Sequence, residues 1–180
     1  MSVQLIYRFR KYLLVLVCFV ISVTTYAQTD ENYKEELKAV ESKLREGKFN
    51  EGLQLLDEIS VKYPNVADIH YAKSLILVQM RNYDGAVESA NLAYQKNKNM
   101  FYANHLLELY KARKDLPNGI ALLQDLQRQY PTHEGLNREL LILYAENKQL
   151  DEAKKLHSKL ITSSHSDTLN LVIAEVYLNA

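Results

Sequence analysis

Tryptophan is absent from this chain of 180 residues, which contains one cysteine, three prolines and five glycines. A single cysteine cannot form an intramolecular disulfide, so no disulfide framework supports the fold. So few prolines and glycines exclude a collagen-like or linker-rich chain. Basic and acidic residues are equal at 22 each, so the chain lacks the positive field that nucleic-acid binding requires. This composition indicates a globular or helical-repeat protein.

Sequence motifs for catalysis are also absent. The chain has no glycine-rich phosphate loop, no paired-histidine motif and no nucleophile elbow. Its five histidines are scattered, whereas a zinc site needs three or four ligands together. The acidic stretch at residues 30–36 lies at a predicted helix start, where the helix dipole favours carboxylates. We therefore expect no enzymatic activity, no cofactor, no metal and no nucleic-acid partner.

The segment at residues 1–27 differs in character from the rest. Three basic residues within positions 8–11 precede a run of twelve mostly apolar residues at 12–23, and Thr25 and Ala27 suit a cleavage site. These are the three regions of a secretory signal peptide. Twelve residues are too few for an ordinary membrane span, which needs about 20. We predict a cleaved signal peptide at residues 1–27, with an uncleaved N-terminal anchor as the alternative.

Removal of this segment would leave a cysteine-free chain with a net charge of −3, because the segment contains three bases and no acids. Such a chain is indifferent to the redox state of its compartment. Cys18 follows Val17, where a lipoprotein signal needs a small residue, so lipid attachment is not expected. We predict an exported bacterial protein of the periplasm or cell envelope, or a secreted one, with no stable membrane span after cleavage.

Four segments of the remaining chain repeat one pattern at a nearly constant interval, since they begin at positions 46, 80, 113 and 147. Each segment has a polar turn, then an apolar residue and, three positions later, a glycine or alanine. The apolar residues are Phe49, Tyr83, Leu116 and Leu150, and the small residues are Gly52, Ala86, Gly119 and Ala153. Each small residue begins an apolar stripe with the spacing of one helix face. These segments predict helices that another helix approaches very closely.

A further helix is predicted before each of these segments, at residues 33–46, 67–80, 100–113 and 134–147. Pro64 and Pro131 stand where two of the second helices should end, because proline cannot continue a helix and restricts the residue before it. Each unit is therefore a helix, a tight turn and a second helix. Such a pair cannot cover its own apolar face and stacks on the next pair. The sequence predicts an all-α solenoid.

This pattern resembles the tetratricopeptide repeat (TPR) family over residues 33–180. The shared features are the unit length, the small residue that opens the second helix, the aromatic or leucine in the turn and the terminal proline. Lys98 stands in place of one such proline. The chain also departs where the family has a small residue inside the first helix, with Val40, Ser74, Leu107 and Leu141. The resemblance implies a right-handed superhelix that binds a protein or peptide.

The predicted domain organisation follows from these boundaries. It comprises a signal peptide at 1–27, a linker at 28–32, four repeats at 33–66, 67–99, 100–133 and 134–166, and a final segment at 167–180. Ala174, Tyr177 and Ala180 fall on positions that the family favours in a first helix. We interpret the final segment as the first helix of a fifth, incomplete repeat or as a terminal cap. Its apolar residues leave open a homo-oligomer formed through residues 168–180.

The resemblance places the concave face of the superhelix on the first helix of each repeat. This face would show a mixture of aromatic, aliphatic and charged side chains, as protein-binding grooves do. The candidate partner-binding residues are Leu37, Glu41, Tyr71, Leu75, Phe101, Asn104, Glu108, Arg138 and Ile142. For each large apolar residue among them, a place in the core between repeats is the competing interpretation.

Some members of the family hold a peptide carboxylate with a clamp of lysine, asparagine and arginine. That clamp is missing, since the matching positions are Leu37, Glu41, Ala72, Asn104 and Glu108. The expected function is a non-enzymatic scaffold or adaptor of the cell envelope that binds a protein or peptide through the concave face. Two alternatives stay open: a structural protein that self-assembles through its C-terminal helix, and an accessory subunit of an envelope enzyme.

The small residues that open the second helices lead to the first prediction. An Ala86→Leu substitution should lower the free energy of unfolding by roughly 1–3 kcal/mol, because the larger side chain overpacks the helix crossing. A thermal or urea melt followed by circular dichroism measures this loss. Unchanged stability would show that Ala86 does not lie at a helix crossing.

Overall fold

The computed structural model describes residues 32–161, and eight α-helices fill this part of the chain. Helix α1 covers residues 32–45. The others are α2 (Phe49–Lys62), α3 (Ala67–Gln79), α4 (Tyr83–Lys96), α5 (Met100–Ala112), α6 (Leu116–Gln129), α7 (Glu134–Glu146) and α8 (Leu150–Ile161). Each helix packs mainly against its neighbours along the chain. The fold is an all-α solenoid, as predicted.

The predicted signal peptide, residues 28–31 of the linker and the final segment at 167–180 lie outside the described residues. Within residues 32–161, the first helices of the four units are α1, α3, α5 and α7. The second helices are α2, α4, α6 and α8. Each first helix ends one residue before the end that its apolar pattern predicted, where the chain enters the turn. Each second helix begins at the apolar turn residue, namely Phe49, Tyr83, Leu116 and Leu150.

The small residues of the second helices lie where three helices meet. A Cβ atom on Gly52 would lie 3.1 Å from Leu44 Cδ2 in α1 and 3.6 Å from Ile76 Cδ1 in α3. A Cβ atom on Gly119 would lie 3.1 Å from Leu143 Cδ1 in α7, with α5 on its other side. The second helix therefore contacts its own first helix and that of the next repeat at one point, which leaves no space for a long side chain.

The core consists of the stripes that follow these small residues, together with the inner sides of the first helices. Ala86 is fully buried, and so are Leu56 and Leu123 on the stripes of α2 and α6. The residues at the family's small position in the first helix, Val40, Ser74, Leu107 and Leu141, are also buried. They fill the space inside the stack, because protein interiors are packed with few voids.

Side chains of the turns fix where several helices begin. The Oδ1 atoms of Asn82 and Asn99 accept hydrogen bonds from the backbone N–H groups of Gly85 at 3.0 Å and Tyr102 at 3.2 Å. His133 Nδ1 accepts one from the N–H of Leu136 at 3.2 Å. Such caps satisfy N–H groups that have no partner within the helix. These caps mark the boundary between the turn and the helix at the starts of α4, α5 and α7.

The turns inside the four units share an unusual backbone conformation. Positive φ angles occur at Gly47 (72°), Arg81 (58°), Lys114 (55°) and Lys148 (58°), which is the same place in each unit. In the third unit, the Lys114 N–H bonds to Lys111 O and the Asp115 N–H to Tyr110 O, both at 2.9 Å. This is the Schellman arrangement, which favours glycine at the left-handed position. Three of the four units use a long basic residue there.

The left-handed turns generate the second prediction. A Lys114→Gly substitution should raise the free energy of unfolding by roughly 0.5–1 kcal/mol, since it removes the cost of a left-handed side chain but adds backbone entropy to the unfolded chain. Urea unfolding measures the change.

The matched control is Ala121→Gly on the exposed side of α6, where the backbone is helical. It should lower stability by about 1 kcal/mol. If both glycine substitutions destabilised the protein equally, the left-handed conformation of Lys114 would carry no cost.

Candidate functional site

The exposed sides of α1, α3, α5 and α7 form a continuous series of side chains, which we call the first-helix face. Glu41, Leu75, Phe101, Asn104, Glu108 and Arg138 are exposed on it, whereas Leu37, Tyr71 and Ile142 are half-buried. Tyr71, Asn104 and Arg138 each occupy the fifth position of their helix, so one row crosses three repeats. The predicted partner-binding residues thus share one face of the solenoid.

Four aromatic rings from α3 and α5 cluster on this face, and we call them the aromatic patch: Tyr71, Phe101, Tyr102 and His105. The Tyr71 ring centroid lies 4.9 Å from those of Phe101 and His105 and 5.9 Å from that of Tyr102. The tilted and edge-on ring pairs are the favoured aromatic geometries. Phe101 is 56% exposed and Leu75, also on α3, is 41% exposed. The patch therefore offers apolar surface on a rigid base.

One carboxylate joins three repeats beneath the aromatic patch. The Tyr102 hydroxyl donates a hydrogen bond to Asp68 Oδ1 at 2.5 Å, and the Tyr33 hydroxyl donates one to Asp68 Oδ2 at 3.0 Å. Tyr33 lies in α1, Asp68 in α3 and Tyr102 in α5, so each hydroxyl comes from a different neighbouring repeat. Both tyrosines are buried. Asp68 therefore connects the first helices of repeats 1, 2 and 3.

A buried serine lies beside the histidine of the aromatic patch. Ser74 Oγ donates to the backbone carbonyl of Ala86 at 2.8 Å and lies 2.8 Å from His105 Nε2. The hydroxyl proton is used by the carbonyl, so the imidazole Nε2–H is the donor to Ser74 Oγ. Ser74 is fully buried, and burial lowers the pKa of His105. This pair orients the His105 ring and gives no accessible nucleophile.

The charges of the first-helix face are largely paired. Glu41 pairs with Arg45 at 3.4 Å, and Lys111 bridges Glu108 at 3.3 Å and Glu139 at 2.7 Å. Such exposed pairs contribute little to stability. Arg138 forms no ion pair with any residue of the described part. An exposed guanidinium that pairs with no carboxylate of residues 32–161 therefore lies one repeat beyond the aromatic patch.

The second helices carry their own tyrosine–carboxylate pair. The Tyr94 hydroxyl of α4 donates to Asp125 Oδ2 of α6 at 2.9 Å. Burial, and then the hydrogen bond to Asp125, raise the pKa of Tyr94 from 10.0 to about 12, and the same bond is the largest cause that lowers the pKa of Asp125. Burial and the bond to Asp68 likewise raise the pKa of Tyr102. Both phenols are held in the neutral, donating form.

A cleft of about 410 Å³ opens on another side, between α3, α4 and the end of α2. Its wall includes His70, whose pKa is lowered by burial first and by Lys96 and Lys73 after it. Lys73 in the same wall pairs with Asp57 at 2.5 Å. Within residues 32–161, no three side chains of histidine, cysteine or acid come together as metal ligands would.

A bilayer crossing needs about 20 apolar residues in one helix, and none of the helices within residues 32–161 offers such a span.

No protein-family model matches this chain, and no curated protein does. Solved structures of helical-repeat proteins do match. A chain of the Naa15/Naa10 complex bound to HypK-THB gives a TM-score of 0.66 at 16% identity, over 78% of this chain and 23% of that chain. MamA from Desulfovibrio magneticus RS-1 gives 0.52 at 16% identity, over 80% of this chain and 92% of that one. MamA from AMB-1 gives 0.53 at 20% identity, over 76% of each.

At these identities the likeness shows the fold alone, which is a TPR-like solenoid. This chain spans less than a quarter of the length of the Naa15/Naa10 chain that it matches.

Sequence reasoning found the residues of the first-helix face but missed the interactions beneath it. The Tyr33–Asp68–Tyr102 link joins side chains that are 35 and 34 positions apart. The repeat interval alone would have placed such residues side by side. The hydrogen bonds form because these three positions hold tyrosine and aspartate. The equivalent positions of the other repeats hold other residue types.

The tyrosine–carboxylate pair of the second helices generates the third prediction. Tyr94 has a raised folded-state pKa, so its contribution to stability is complete below pH 10.0 and is lost between pH 10.0 and about 12. A Tyr94→Phe variant should be less stable at pH 7 by about 1.5–3 kcal/mol, the value of a hydrogen bond to a charged group. That deficit should shrink as the pH rises above 10.0.

Urea unfolding of both proteins at several pH values measures this deficit. The other tyrosines are common to both proteins, so the effect of their titration cancels in the difference. A deficit that stays constant through pH 11 would contradict the assignment of Tyr94 as the buried donor.

Proposed function

We propose that this protein is a non-enzymatic scaffold that binds a protein or peptide partner through its first-helix face. The observation that carries this proposal is the aromatic patch, where Phe101 is largely exposed while Tyr71 and Tyr102 hold it from behind. An exposed phenylalanine on a rigid support is surface that water solvates poorly. A partner that covers it gains apolar burial with little loss of side-chain entropy.

The composition of the face supports a protein partner in particular. Aromatic residues and arginine are enriched where protein interfaces derive most of their binding energy. Phe101 and Tyr71 supply aromatic anchors, and Arg138 supplies a cation that no described carboxylate neutralises. Asn104, between them in the same row, is exposed and presents both a donor and an acceptor. Together these groups fit an extended or helical segment of another protein.

The comparisons support a binding role by analogy only. The Naa15/Naa10 structure contains a further protein, HypK-THB, and its repeat chain shares this fold. We further propose that the protein acts as an adaptor in a bacterial envelope after cleavage of the segment at residues 1–27. The sequence of that segment is the support for export, and the scattered histidines of the chain are the support for a non-catalytic role.

The fourth prediction tests this function by crosslinking and affinity capture of the protein from its own envelope extract. The test variant combines Tyr71→Ala, Phe101→Ala and Arg138→Ala. One enriched protein should be captured by the wild type and lost by this variant, because the substitutions remove the anchors of the face. The captured protein, once purified, should bind the wild type in calorimetry and should bind the triple variant at least about tenfold more weakly.

The matched control removes an apolar residue, a tyrosine and an arginine from the second-helix side, by Val61→Ala, Tyr130→Ala and Arg128→Ala. Val61 is 82% exposed and Tyr130 is 40% exposed, so these changes leave the core intact. The control should capture the partner as the wild type does. Equal loss in both variants would contradict binding through the first-helix face. Enrichment of this chain alone would also contradict it and would favour self-assembly.

A further inference from the structure

Among the described carboxylates, Asp68 alone accepts hydrogen bonds from tyrosines of two other repeats. Its two oxygens accept hydrogen bonds from Tyr33 of the preceding repeat and Tyr102 of the following repeat. Tyr102 in turn has its ring centroid 5.2 Å from that of Phe101 and 5.9 Å from that of Tyr71. A chain of direct contacts therefore runs from Asp68 through Tyr102 to the two anchors of the first-helix face.

The bond at Tyr102 constrains the orientation of its ring. A phenol that donates at 2.5 Å to a carboxylate forms a short, charge-assisted hydrogen bond. With its hydroxyl held at one end and its backbone in α5 at the other, the ring has little freedom to rotate. Phe101 is adjacent in sequence and packs edge-on against it at 80°. The exposed ring of Phe101 is thereby held from beneath by a side chain that Asp68 fixes.

We propose that Asp68 is a positioning residue of the binding surface: through Tyr33 and Tyr102 it sets the alignment of three successive first helices and holds the aromatic patch in its binding geometry. The inference rests on the proposed function, since it assigns Asp68 a role in that surface. Asp68 does not contact the partner in this scheme. It acts through Tyr102, so its loss alters the shape of the patch while Phe101 and Tyr71 are still present.

The Tyr94–Asp125 pair provides an internal comparison. It has the same chemistry, a buried tyrosine that donates to a carboxylate one repeat away, at 2.9 Å. It joins the second helices α4 and α6, and none of the ring pairs that form the aromatic patch includes Tyr94. Loss of either pair should destabilise the stack. Only loss of the Asp68 pair should change the patch.

The test needs no partner, because the patch itself can be followed by fluorescence. The chain lacks tryptophan, so one introduced tryptophan reports on its own position. A Phe101→Trp substitution at this exposed position introduces the only tryptophan of the chain, whose emission can be excited apart from that of the tyrosines. In that background, Asp68→Ala and Tyr102→Phe are compared with Asp125→Ala and Tyr94→Phe. The readouts are the tryptophan emission maximum, its anisotropy and its quenching by acrylamide, at a temperature where far-UV circular dichroism shows each variant fully folded.

We expect Asp68→Ala and Tyr102→Phe to lower the anisotropy and raise the quenching constant, because the support of the ring is released. Asp125→Ala and Tyr94→Phe should leave both values unchanged. Asp68→Asn retains one carbonyl acceptor and should give an intermediate result. Equal readouts for the two sets of variants would overturn the role of Asp68, whatever the capture experiment shows.

If Asp68→Ala fails to fold, Tyr102→Phe decides alone, since it removes a single oxygen atom. Near-UV circular dichroism of Tyr102→Phe with the native Phe101 checks that the tryptophan itself does not create the effect. A different result would contradict the proposed function. That result is equal partner binding by the wild type and by the triple variant with alanine at positions 71, 101 and 138. An intact function with an unchanged patch would leave Asp68 as a structural link only.

Discussion

The solenoid depends on one close approach, between the start of each second helix and the two first helices beside it. Gly52, Ala86, Gly119 and Ala153 stand at that approach. At the two glycines, an added Cβ atom would lie 3.1 Å from a leucine side chain, so even a methyl group there would displace its neighbour slightly. A small residue recurs at this place once in each of the four repeats. Successive first helices also contact one another directly, through Tyr33–Asp68, Asp68–Tyr102 and Lys111–Glu139.

The first helices together form one surface. Exposed positions that are not needed for packing recur at the repeat interval, and they form rows across the first helices. One such row runs through Tyr71, Asn104 and Arg138, and beside it Phe101 is exposed over Tyr102. The packing residues determine where the face lies, and the proposed function assigns partner binding to these few exposed residues.

Much of the fold was predictable because its determinants are local and periodic. The small residues and the apolar stripes placed every second helix, and α1, α3, α5 and α7 end one residue from their predicted ends. The left-handed turn residues Arg81, Lys114 and Lys148 were not predicted, because basic side chains give no sequence indication of a positive φ angle. The face residues followed from the register. The link through Asp68 did not, because it depends on side-chain orientations that periodicity does not specify.

Site-specific photocrosslinking in living cells shows whether a partner binds on the first-helix face. A photoreactive amino acid is placed at position 104 on α5 or at position 121 on α6, both of which are exposed. We expect a crosslinked partner from position 104 and none from position 121. Absence of an adduct at position 104, or equal adducts at both positions, would contradict binding on this face.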